Sequence, residues 1–457
     1  MNSADLLDLE KKYCSYGDTV HYAENPKIFS RCEGSYLFDE KDMRYFDLQM
    51  WYSAVNLGYA NKNINTAVKK QIDTLPQIAS QYLHQGKIEL AARLCTETEK
   101  RFGVKGRVHF NVGGAQAIED ALKLVRMRTK ANGVFAFMGG YHGRTIAASA
   151  ITSSYRYRSR FGHFGDRAFF VEFPYAFRCP EKGVDITDYY ISKFKRLFET
   201  EYHGIYDSRD GACEYRAFFA EPIQGTGGYI IPPKNFFKEL KKVLDQYGIL
   251  LVVDEIQMGF YRTGKLWSIE HFDVVPDIIV FGKALTNGLN PLSGIWAKEG
   301  LIEPSVFPPG STHSTFASNP LGTTAGLATL EAFDNWTDRE RDIEGKGKYF
   351  LNKLKQLKEK FPQIIGDVDG LGLALRIELC GDDGQVPSKK RADFIFNEGL
   401  RGDLIYDGKP IGLILDIGGY YKNIITLAPN LLITEDEIDM VSELLSQLFD
   451  RVKKNGI

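Results

Sequence analysis

Cysteine and histidine are scarce in this chain of 457 residues, six and eight respectively, and neither is grouped. Cys14, Cys32, Cys95, Cys179, Cys213 and Cys380 form no C-x-x-C pair and no Cys/His cluster, so neither a disulfide framework nor a metal centre is expected. Long apolar runs are missing too. The best, 249–253, is stopped by Asp254 and Glu255, far short of the roughly 18 to 20 residues that cross a bilayer. Nor is there a surplus of one charge: 57 Lys and Arg face 59 Asp and Glu, with no block of like sign. Nucleic acid and membrane are therefore not expected partners. The first eighteen positions carry Asp5, Asp8, Glu10, Lys11 and Lys12 and no apolar stretch, which predicts no leader peptide and a cytoplasmic location.

What is present is an ordinary globular composition, 44% hydrophobic and 25% charged, long enough for two or three domains. Seven short apolar, β-branched or aromatic runs, at 107–112, 133–138, 167–173, 216–220, 250–254, 278–281 and 294–297, read as strands. Helical spacing lies between them, as at 116–130 and 236–247. The alternation predicts an α/β domain whose mostly parallel seven-stranded sheet is covered on both faces. After Phe316 the pattern changes to long helices at 323–335 and 341–361, a strand at 373–379 and a last helix at 435–453, which predicts a smaller α+β domain. The first sixty residues, strand-like at 35–38 and 44–47, hold no helix long enough to fold alone and should pack on that domain. The expected divisions are thus 1–62, 63–327 and 328–457, with the small domain formed from both termini. The stretch 402–422, with Gly402, Gly408, Gly412, Gly418 and Gly419, is expected to be a long surface loop.

Two strand ends carry the chemistry. The apolar run 250–253 ends in Asp254, and the run 278–281 ends in Gly282-Lys283. Open α/β sheets bind ligands at the carboxyl ends of their strands. A lysine withdrawn from water there can attack a carbonyl, and an aspartate can hold a proton on a pyridine nitrogen. Either residue alone has an ordinary explanation, a helix cap or a solvated tip. A third element is Asn111-Val112-Gly113-Gly114-Ala115, a strand-to-helix turn of the kind whose open N–H groups favour an anion.

These residues resemble the class III aminotransferases, pyridoxal 5′-phosphate enzymes of fold type I that include ornithine, 4-aminobutyrate and lysine ε-aminotransferases. The resemblance runs along nearly the whole chain and is carried by Asp254-Glu255-Ile256-Gln257-Met258-Gly259-Phe260-Tyr261-Arg262-Thr263-Gly264, Pro276-Asp277 and Gly282-Lys283-Ala284-Leu285. It implies that Lys283 holds the cofactor as an aldimine and shuttles a proton, and that Asp254 pairs with the pyridine nitrogen. It further implies Gln257 near the phenolic oxygen, Glu221 behind the ring, Tyr141 on its face with His142 beside it, and Gly113, Gly114 and Ala115 at the phosphate. Thr315 would reach the phosphate of a neighbouring subunit's cofactor, in a homodimer with shared active sites. Arg144 would bind a substrate carboxylate, with Trp51, Tyr52, Tyr82 and side chains of the 402–422 loop shaping the pocket.

The sequence departs from ornithine and 4-aminobutyrate aminotransferases at two points, Thr226 and Thr426, where those relatives carry a paired glutamate and arginine. Lys409 and Lys422 are the candidates to replace the lost cation. The expected reaction is ping-pong transfer of an amino group from an ω-amino acid or amine to an oxo acid. A racemase or epimerase of the same fold is the alternative, and a non-catalytic cofactor-binding protein a more distant one.

Overall fold

The structure is a computed structural model that describes residues 3–15, 17, 23–24, 26–158, 161 and 168–457. Its main sheet has seven strands, in the spatial order Gly106–Asn111, Ser293–Lys298, Ile278–Phe281, Leu250–Asp254, Tyr215–Ala220, Gly133–Phe137 and Phe169–Val171. All are parallel except Ser293–Lys298, which runs against both neighbours. Each corresponds to one of the seven apolar runs, although Arg167, the first residue of the run 167–173, lies outside the described residues.

Successive residues of the central strands face opposite layers, as the two-residue repeat of a strand requires. Val252, Ile278, Val280, Ala217 and Phe219 pack with Ala117, Ile118, Ala121 and Val125 of the helix Gly114–Thr129. Leu251, Val253, Ile279, Phe281 and Phe218 join the opposite layer with Phe237, Leu240 and Leu244 of Phe236–Gln246. A strand buried on both faces has no polar side to alternate with, and so appears in the sequence as a continuous apolar run. Register then aligns the strand ends: Val253 lies beside Ala220 on one flank, and Asp254 beside Val280 on the other. The residues just beyond, Glu221, Asp254 and Lys283, emerge along one edge.

A four-stranded antiparallel sheet, in the order Ile365–Leu371, Ala374–Leu379, Ile424–Leu427 and Asp416–Gly418, packs against the helices Arg339–Lys360 and Lys389–Gly399, on both of which Glu435–Lys454 lies. Beside it Phe29–Glu33, Tyr36–Asp39 and Arg44–Asp47 form a sheet with Lys409–Ile414 and Leu404–Tyr406, through parallel pairing of Tyr45 with Gly412 and Phe46 with Leu413. The amino-terminal strands are therefore built into a sheet with late ones. A helix at Ser3–Tyr13, which the sequence reading did not anticipate, buries no residue. Among the described residues no helix is long and apolar enough to cross a membrane.

The expected loop at 402–422 is instead three strands. Asp407 and Gly408, both at positive φ (52° and 72°), make a two-residue hairpin turn between Leu404–Tyr406 and Lys409–Ile414, which is the conformation such turns require. Leu404, Ile411, Leu413 and Leu415 are fully buried. Gly412 is a packing residue: a Cβ there would collide with the ring of Tyr45.

Candidate active site

The carboxyl edge of the main sheet gathers its polar groups from four strand ends. Asp254 is buried, and both carboxylate oxygens are engaged: Oδ2 by His142 Nδ1 at 2.8 Å and Oδ1 by the Ile256 N–H at 3.1 Å. Burial opposes charging the imidazole, yet the hydrogen bond and charge of Asp254, with Glu221 behind, outweigh it and raise the pKa of His142. His142 thus stands behind the carboxylate and works through it. The backbone N–H of His142 donates to Thr152 Oγ1 at 2.9 Å.

Glu221 follows the strand Tyr215–Ala220 and ties two loops together, accepting from the N–H of Tyr141 and of Gly225, each at 2.9 Å. Burial, opposed by His142, pushes its carboxyl up to about 7. In the cofactor-free protein the folded state therefore keeps a proton that an unfolded glutamate, near its ordinary 4.5, has released. The associated stability is complete below pH 4.5 and lost as the pH rises to about 7, by up to about 3 kcal/mol. Glu255, equally buried and also pushed up to about 7, adds a second dependence of the same sign. Urea midpoints from pH 5 to 8 should accordingly fall less steeply for Glu221→Gln than for the parent; parallel curves would show that Glu221 is ionised throughout.

Lys283 sits at φ 40°, a left-handed backbone that a lysine holds only when its surroundings impose it. Burial lowers the pKa of its ammonium, while Asp254, Glu221 and Asp416 pull it back up. The net shift is downward, in the direction of the nucleophilic amine. Gln257 donates from Nε2 to Tyr229 Oη at 3.0 Å, and that hydroxyl is 3.4 Å from Ser53 Oγ. Tyr141 meets the ring of Tyr157 edge-on at 5.2 Å, and the guanidinium of Arg144 lies over Tyr157 at 4.5 Å and Tyr141 at 6.0 Å.

Gly113 precedes the sixteen-residue helix Gly114–Thr129 without any side-chain cap, leaving first-turn N–H groups for another acceptor. The approach is close. A Cβ on Gly114 would come within 2.9 Å of Ile256, and one on Gly143, at φ 130°, within 2.6 Å of Ala115. An uncapped helix start, a buried carboxylate and a lysine drawn toward neutrality make a donor set that fits pyridoxal phosphate, with anion, ring nitrogen and carbonyl each matched to a group of this edge. Among the described residues no cluster of His, Cys, Asp and Glu could hold a metal.

Other expected residues lie apart from this core. Trp51 and Tyr52 are exposed on a turn in which Met50, Trp51, Tyr52 and Ser53 all have φ between 43° and 63°. Such a backbone costs about 1–2 kcal/mol per residue and is held here by Asp47, which accepts from the N–H of Gln49 and Met50 at 2.7 and 2.9 Å. Thr315 is exposed, in a segment that with residues 80–91 lines a cavity of about 710 Å³. Around it Tyr82 (58% exposed), Leu83 (73%), Ile88 (53%) and Phe316 (70%) form an apolar surface. Lys409 is exposed on the hairpin, and Lys422 lies beyond the strand Asp416–Gly418.

Two residues of this region escaped the sequence reading. Tyr229, at φ 54°, is the partner of Gln257 and carries no motif of its own. Asp416 accepts from Gln49 Nε2 and Thr426 Oγ1. Its signal, an apolar run ending in a carboxylate, was the one that had marked Asp254.

Residues 19–449 match the family model for class III aminotransferases. The chain is 33% identical over 419 residues to a probable 4-aminobutyrate aminotransferase of Bacillus subtilis, covering 90% of each chain. It is 31% identical over 447 residues to an alanine/serine racemase of Pyrococcus horikoshii, covering 97% of this chain and 89% of that protein. The crystal structure of a thermostable (S)-enantioselective ω-transaminase from Thermomicrobium roseum superimposes with a TM-score of 0.87 at 25% identity, over 99% of both chains.

Proposed function

The chain belongs to the class III aminotransferases, fold type I enzymes that depend on pyridoxal 5′-phosphate, and on that premise we propose that it moves an amino group from an ω-amino acid or amine donor to an oxo acid by a ping-pong reaction. The observation that carries the reading is the pair Lys283 and Asp254 at adjacent strand ends, the lysine drawn toward neutrality and the carboxylate fixed by His142. When bound, the cofactor supplies an electron sink for the carbon that carries the nitrogen.

The chain's own residues supply the rest. Lys283 would hold the cofactor through its amine and would serve as the acid and base for the proton at the carbon that carries the donor's nitrogen. Asp254 keeps the ring nitrogen protonated, and His142 positions Asp254. Gln257, oriented by Tyr229, serves the phenolic oxygen; Tyr141 covers the ring face; Gly113, Gly114 and Ala115 receive the phosphate on backbone N–H groups. Arg144 takes a substrate carboxylate by charge-assisted hydrogen bonding, and Trp51 and Tyr52 wall the pocket. Mixing the holoenzyme with single amines in the absence of any oxo acid tests the reading. True donors should bleach the absorbance of the lysine-linked cofactor, one equivalent of carbonyl product appearing per site.

The apolar surface around Thr315 supports a homodimer in which Thr315 of each chain reaches the other's cofactor phosphate. Thr315→Ala should then loosen cofactor retention about tenfold while the melting temperature of the cofactor-free protein stays put. Equilibrium dialysis measures the first, and a fully active monomer in sedimentation would exclude the arrangement.

The racemase relative supports a second reading, in which Lys283 would take the proton from the donor carbon and the proton would return to that carbon with no net transfer of nitrogen. Net movement of nitrogen to the oxo acid separates the two.

A further inference from the structure

The roles above leave Asp416 unused. It follows the buried run 411–415 and opens the strand Asp416–Gly418, where the chain passes from the sheet holding Lys409–Ile414 to the one holding Ile424–Leu427. Its carboxylate accepts from two neutral groups, Gln49 Nε2 at 3.3 Å and Thr426 Oγ1 at 3.2 Å, both near the long end of the range for hydrogen bonds. Among the described residues it forms no ion pair within 4.0 Å. Asp47 nearby is different: fully buried, it accepts from two N–H groups and from Tyr59 Oη at 2.7 to 2.9 Å.

Asp416 stays partly exposed, and its charge reaches Lys283. Lys422 acts on it without closing to an ion pair. Thr226 and Thr426 flank the same corner, since a Cβ on Gly418 would lie 3.3 Å from Thr226 O and 3.2 Å from Thr426 Cγ2. With both threonines uncharged, the charged side chains around this corner are Asp416, Lys422 and, behind them, Asp47. A partly exposed carboxylate weakly served by neutral donors is matched by a cation.

We propose that Asp416 receives a second positively charged group of the amine donor, so that the preferred donor is a diamine or a basic amino acid and not one whose far end is a carboxylate. The proposal rests on the transamination reading and narrows it; Arg144 then serves the carboxylate of the oxo acid. The left-handed turn joins in, because Gln49, one residue before it, holds one oxygen of Asp416.

Three donors of equal length that differ only in the far group test this: 1,4-diaminobutane, 4-aminobutyrate and butylamine, each with pyruvate. In the holoenzyme the diamine should exceed both others in kcat/KM by about 10- to 100-fold, the worth of one charge-assisted hydrogen bond. Asp416→Asn should abolish that margin through KM, the diamine falling at least about tenfold further than butylamine, while Asp416→Glu keeps part of it. A purely structural role would lower all three donors together and would overturn the assignment, as would a preference for 4-aminobutyrate in the parent. A flat profile with normal transfer sinks this proposal alone, whereas no transfer from any amine sinks the transamination reading with it.

Discussion

Lys283→Ala should reduce turnover by at least about ten thousandfold, because one substitution removes both the amine that holds the cofactor and the group that moves the proton. Cofactor should still bind through the helix start, the ring contacts and Asp254, but it should wash out on dialysis and lose the absorbance of the lysine-linked form. The fold should survive. Alanine tolerates the position no worse than lysine at φ 40°, and a partly buried ammonium whose pKa is already depressed by burial is not an asset to stability. Steady-state rates with urea unfolding as the control decide the point, and activity within tenfold of the parent would mean that another residue carries the chemistry.

Asp254→Asn should be the second largest effect. The amide keeps the shape and can still accept from the Ile256 N–H, but it cannot hold a proton on the ring nitrogen, so turnover should fall by about 10²- to 10⁴-fold with cofactor still linked to lysine. A further sign should accompany it. The pKa of His142 is raised by the hydrogen bond and charge of Asp254 against the opposing effect of burial, so removing that charge lets burial prevail and lowers it. NMR titration of the imidazole in the two proteins should show that shift downward. An Asp254→Asn enzyme as fast as its parent would show that the ring nitrogen is served by a different carboxylate.

The sequence made the main sheet legible because its strands are buried on both faces. Leu250–Asp254 and Ile278–Phe281 are continuous apolar runs with abrupt polar stops, and those stops are Asp254 and, past Gly282, Lys283. The same grammar is present at 411–415 and Asp416, but the five glycines of 402–422 carry the local signal of a loop. Two of them do different work: Gly408 completes a hairpin turn, and Gly412 makes room for Tyr45. Glycine reports that backbones or rings come close, and only the partner shows whether that happens in a loop or in a sheet. A loop signal of that kind points to the segment as a whole and does not single out Asp416, which the paired strands place beside Gln49 and Thr426.

Other features had no local signal at all. The turn at Met50, Trp51, Tyr52 and Ser53 contains no glycine or asparagine, and its left-handed backbone is held by a carboxylate three residues before Met50. The partnership of Gln257 with Tyr229 joins residues 28 positions apart in different loops. His142 was expected at the cofactor, and its position behind Asp254 depends on the register between strands rather than on any motif.

Transamination requires that nitrogen leave one molecule and arrive on another. Supplying the holoenzyme with a ¹⁵N-labelled amine donor and unlabelled pyruvate, and following both by mass spectrometry, tests it directly. The predicted result is alanine carrying the label, matched mole for mole by the carbonyl product of the donor. Label that stays on the donor, while the donor's carbon-bound hydrogen exchanges with solvent and its optical activity decays, would contradict transamination and make this chain a racemase.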